Sequence, residues 1–114
     1  EVIYFVGSKD SAIAAEQMRF STILEKINHG ELPFDAQDFL PYGTAWNTGQ
    51  NYSQGKSFSA WALTLPGISL ATSLEFPYAN VYGRQVTVAN ARQFGYFLAR
   101  AMQIYLMTME QNRH

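Results

Sequence analysis

In the stretch GISLATSLEFPYANVYG, residues 67–83, Glu75 is the one charged side chain among apolar and small residues. If residues 67–76 form a strand, successive side chains alternate between faces. Ile68, Leu70, Thr72, Leu74 and Phe76 then make a bulky face, and Ser69, Ala71, Ser73 and Glu75 make a face of small residues ending in a carboxylate. Strand C-termini in α/β sheets open onto ligand crevices. An acid there, with small neighbours leaving space beside it, is a candidate general base. The plainer alternative is a carboxylate at a sheet edge, in water or paired with Arg84.

Other chemistries find less support. Zinc held on a helix needs two histidines about four residues apart, or His-x-x-Glu with a distant third ligand. His29 and His114 fit neither pattern. Gly49 and Gly55-Lys56-Ser57 approach a phosphate-binding loop, but five residues separate the glycines where four are required. No Gly-x-Ser-x-Gly elbow marks a nucleophilic serine. Phe34, Phe39, Tyr42, Trp46 and Tyr52 are clustered in one irregular segment. They could recognise a peptide or sugar, although sealing a core beneath a long loop is the commoner role for such residues.

The elements that would position these groups are legible in outline. Residues 1–6 (EVIYFV) are β-branched and aromatic, end at Gly7, and predict a buried strand. Ser8 or Asp10 can cap a helix reaching about Asn28, with Ile13, Phe20, Ile23, Leu24 and Ile27 as its buried stripe. His29-Gly30 suits the end of that helix, the glycine being free to take positive φ. Residues 30–55 carry no clear period, apart from a short strand expected near 43–46. A short helix is expected over 57–63, and a Pro66-Gly67 turn leads into the Glu75 strand. A last helix begins at a Thr87 cap and runs to about Glu110, turning Ala91, Phe94, Leu98, Ala101 or Met102, and Tyr105 inward. This order predicts an α/β layered architecture in a single unit spanning 1–114.

Composition narrows the function classes. The 114 residues are 47% hydrophobic and 15% aromatic, enough for a core in one small domain. Eight basic and nine acidic residues are scattered, so no basic patch invites nucleic acid. No apolar run approaches the roughly 18 residues of a membrane-spanning helix. The absence of cysteine removes disulfides and thiolate chemistry. Glu1 rather than Met opens the chain, which is expected to be processed or excised from something longer.

The stretches NYSQGKSFSAWA and SLATSLEFPYANVYGRQVTVANARQFGYFLARAMQIYL, within about residues 51–106, resemble the zinc metallocarboxypeptidases of the carboxypeptidase A-like family. There a tyrosine-bearing loop precedes a short helix. A strand ending in Thr/Ser-x-Glu follows, then a Tyr/Gly segment and the final long helix. The resemblance implies that Glu75 is the catalytic glutamate, which takes a proton from the attacking water and returns it to the leaving amine. It implies that Tyr52 closes on the substrate's C-terminal residue, and that Phe58 or a neighbour lines the specificity pocket. The family's His-x-x-Glu, its later zinc-ligating His and its carboxylate-binding Arg and Asn have no counterpart in this chain.

The resulting expectation is an α/β, partial three-layer sheet-and-helix domain, the C-terminal part of a carboxypeptidase-like fold. Zinc would belong to the parent enzyme and to no ligand set in this chain, which alone would be inactive. Its partners would be a peptide or amide substrate and the missing N-terminal part of the catalytic domain. An exposed strand edge would also favour self-association. The rival expectation is a stand-alone, non-catalytic α/β binding or interaction module that uses the aromatic segment.

Overall fold

The helices form where the sequence supplies both a cap and an apolar stripe. In this computed structural model, which describes residues 1–49 and 58–112, α1 spans Ser11–Ile27 and α3 spans Val88–Asn112. Between them lie a 3-10 turn at Ala36–Asp38 and a five-residue helix, α2, at Phe58–Ala62. The strands are short: β1 (Tyr4–Phe5), β2 (Leu74–Glu75), β3 (Asn80–Val81) and β4 (Arg84–Gln85). They make two small antiparallel sheets, β1 with β2 and β3 with β4, in a mixed α/β arrangement.

Asp10 caps α1 by accepting from the Ala12 and Ile13 amides at 2.9 and 3.2 Å. At the start of α3 the Thr87 hydroxyl accepts from the Asn90 amide, and the Asn90 side-chain carbonyl accepts from the Thr87 amide. This reciprocal pair satisfies two donors that the helix cannot use internally. The helices pack on each other and on β1 through an aromatic chain. Phe20 meets Phe5 at 5.5 Å and Tyr105 at 5.7 Å, both edge to face, and Phe34 meets Phe5 at 5.9 Å. Ile3, Leu24, Leu32, Val81, Phe94 and Ala101 complete the interior. Each of the larger aliphatic and aromatic side chains contributes about 1.5–3 kcal/mol through burial.

Several local expectations are corrected. The first strand is confined to Tyr4–Phe5, and Val6 instead bridges in parallel to Leu40. The Glu75 strand is likewise confined to Leu74–Glu75. Both shorten because each ladder holds only while a partner runs alongside. Residues 43–46 form a tight turn rather than a strand, with Gly43 at φ 93 and Ala45 at φ 52 and a bridge between Thr44 and Asn47. The α1 stripe includes polar Gln17 and Ser21 as buried members, while Ile13, Ile23 and Ile27 are half-buried. The inward position at the middle of α3 is Ala101, and Met102 is exposed. Gly30 does not take positive φ. It is close-packed instead, since a Cβ there would lie 2.7 Å from the Gln93 side-chain oxygen. The β3–β4 hairpin turns through Tyr82 (φ 51) and Gly83 (φ 78), the two left-handed residues of a type I′ turn.

Candidate functional site

Glu75 pairs with Tyr4 across the β1–β2 ladder, and Leu74 pairs with Phe5. Paired residues share a face. Phe5 and Leu74 therefore turn to the core, and Tyr4 and Glu75 turn away from it. Glu75 is exposed and forms no ion pair with Arg84. The Tyr4 hydroxyl accepts from the Trp46 indole N–H at 3.3 Å, which brings the 43–47 turn over the same face.

Beyond the C-terminal end of β1 lies a cavity of about 710 Å³. Val6, Gly7, Asn47, Ala60, Leu63 and Ala71 contribute to its wall. Val6 lies on the Tyr4 and Glu75 face by strand alternation. Ala71 stands four residues before Glu75, about 13 Å along an extended chain. The cavity and the carboxylate thus occupy different positions along one sheet, and Glu75 is not part of the cavity wall. Lys9 and Asp10 bring the charged groups to this wall, and the Asp10 carboxylate is engaged in capping α1.

Polar side chains fix the shape of that wall. Asn47 is 1% exposed and donates its two amide hydrogens to the Gly7 and Leu40 carbonyls at 2.9 and 3.2 Å. Gln17, equally enclosed, accepts from the Ser8 amide at 2.8 Å and donates to the Ala71 carbonyl at 3.0 Å. One glutamine therefore ties α1 to both chain segments that border the cavity. Neither role is visible in the sequence. Gln17 sits at a helical position that a hydrophobic pattern skips, and Asn47 sits in a segment without periodicity.

Phe58 is 80% exposed and packs on Trp61 with ring centres 5.7 Å apart. It does not line the cavity, whereas its neighbours Ser59 and Ala60 do. Tyr52 and His114 lie outside the described residues. His29 packs edge-on against Phe97 at 6.0 Å, at the far end of α1. Among the described residues no three His, Cys, Asp or Glu side chains are grouped to hold a metal ion. No helix among the described residues is long and apolar enough to cross a membrane.

No protein-family model, curated protein or solved structure matches this chain.

Proposed function

We propose that this chain is the C-terminal part of a zinc carboxypeptidase-like peptidase, and that it supplies the general base Glu75. The observation that carries the reading is the setting of that carboxylate. It stands on the solvent side of β2, free of Arg84, on a sheet whose other end borders a substrate-sized cavity. The order of short helix, acid-bearing strand, Tyr82-Gly83 turn and long helix supports the same reading.

In this reading the β1–β2 pair belongs to a larger sheet between helical layers, and the remaining part of the parent holds the metal. Glu75 accepts the proton of the attacking water and delivers it to the leaving amine. Tyr52 closes over the substrate's C-terminal residue. Ser59 and Ala60, rather than the outward-facing Phe58, border the pocket for that residue's side chain. The cavity's carboxylate, Asp10, is committed to two amides, so the pocket favours a neutral side chain over a basic one.

The test uses the full-length parent loaded with zinc and a peptide with a neutral C-terminal residue. Glu75→Gln should lower kcat by about 10²–10⁴-fold while zinc content and the thermal midpoint stay the same. Retention of most turnover overturns the assignment. A parent that releases no C-terminal residue, yet binds a peptide through the cavity, establishes the non-catalytic module instead.

A further inference from the structure

Asn47 does more than tie two segments together. Its Nδ2 hydrogens go to the Gly7 and Leu40 carbonyls, its backbone amide donates to the Thr44 carbonyl, and its own carbonyl accepts from the Gly43 amide. The acceptor that remains is Oδ1, to which no described residue donates. Oδ1 is nevertheless not sealed in the interior. Among the described residues, the sealed side-chain atom without a partner is Asn28 Oδ1. Asn47 is 1% exposed and lines the cavity beyond β1, so the opening left to its Oδ1 is that cavity.

Two hydroxyls on the same wall are uncommitted as donors. Ser8 Oγ accepts from the Asp10 amide at 3.2 Å and gives its proton to no described residue. Tyr42 Oη has no partner among the described residues. A Cβ on Gly49 would lie 2.9 Å from that oxygen, so the missing side chain keeps it uncovered. The wall thus offers a buried acceptor beside hydroxyl donors. Its charges add little direction: the Asp10 carboxylate caps α1, and Lys9 is exposed, where water and salt screen its ammonium.

We propose that the cavity takes a terminal carboxamide, the side chain of a C-terminal glutamine or asparagine. The peptidase reading supplies the peptide, and the contacts above supply the preference for its last side chain. A carboxamide carries two N–H donors and a carbonyl acceptor. An N–H donates to Asn47 Oδ1, and the carbonyl accepts from Ser8 or Tyr42. A leucine side chain of similar size leaves the buried Oδ1 without a donor. A glutamate carboxylate sets its own oxygen against Oδ1.

Titration of the chain with N-acetylglutamine, N-acetylleucine and N-acetylglutamate, followed by NMR, reads the cavity without zinc or turnover. N-acetylglutamine should bind about tenfold or more tightly than the other two. It should also move the Asn47 Cγ resonance, which responds when Oδ1 accepts a hydrogen bond. Tyr42→Phe and Ser8→Ala keep both Asn47 side-chain bonds, and together should narrow the preference by about threefold or more. In the zinc-loaded full-length parent, peptides differing only in the last residue should show the same order in kcat/KM. Equal or tighter binding of the leucine or glutamate derivative overturns the proposal. So does an Asn47 Cγ resonance that stays in place, a preference unchanged by both hydroxyl removals, or a parent that cleaves the leucine peptide best. A parent that cleaves none of the peptides overturns the peptidase reading alone, and the titration still decides the ligand of the cavity.

Discussion

Asn47→Ala is expected to be among the most destabilising single-residue truncations of a polar side chain in this protein, and its cost can be worked from the contacts. Asn47 donates to two carbonyls, those of Gly7 and Leu40. The Leu40 carbonyl also accepts from the Gly7 amide at 2.7 Å, so it keeps a partner when the side chain is removed. The Gly7 carbonyl loses its side-chain donor. One buried carbonyl left without a donor costs about 1–3 kcal/mol. For a domain near this size that lowers the thermal midpoint by about 5–20 °C. Asn47→Asp should be worse than alanine at neutral pH, because a carboxylate would face two carbonyl oxygens. Gly7→Ala acts on the same joint: its Cβ would lie 2.9 Å from the Leu40 carbonyl oxygen and 3.0 Å from the Phe39 ring. Overpacking of that kind costs about 1–3 kcal/mol, and the double variant should be less destabilised than the sum of the singles. Urea unfolding followed by circular dichroism measures all four proteins. An alanine variant within about 0.5 kcal/mol of the parent, or an aspartate variant as stable as alanine, would refute the reasoning.

Three further outcomes follow from the core, the hairpin and the β2 carboxylate. Phe20→Ala removes a buried ring with edge-to-face contacts to Phe5 and Tyr105, and should cost about 3–5 kcal/mol in the same unfolding experiment. The Tyr82 hydroxyl donates to the Asp38 carboxylate, and that bond first, then desolvation and nearby negative charge, pushes the phenol up from 10.0 to about 12. Because the folded value is the higher one, the contribution is complete below pH 10 and is lost as pH rises through about 12. Tyr82 is half-exposed, so the difference between parent and Tyr82→Phe should be under about 1 kcal/mol at neutral pH and vanish by the alkaline end of a urea titration. Glu75→Gln should leave stability within about 0.5 kcal/mol, because the side chain is exposed and unpaired with Arg84. A larger loss would mean that the carboxylate is structural, which calorimetry on the isolated chain would reveal.

The two long helices were legible because their signals are local. A cap residue and a 3.6-residue apolar period lie within one turn of the backbone they organise. Asp10 and Thr87 therefore mark the observed starts of α1 and α3 closely. The hairpin was concealed by Tyr82, since the usual glycine or asparagine stands only at the second of its two left-handed positions. The length of β1 and β2 was not legible either, because a strand ends where its neighbour departs, and that neighbour lies about 70 residues away in sequence.

The sequence by itself determined which faces are apolar, where the helices begin, and that Glu75 stands apart from other charges. Tertiary structure decided what surrounds those residues. It set Tyr4 opposite Glu75 and made buried Asn47 and Gln17 the ties that shape the cavity. The division has a physical cause. Periodicity and capping act over a few residues, whereas a buried amide or a cross-strand pair is defined by groups that only folding brings together.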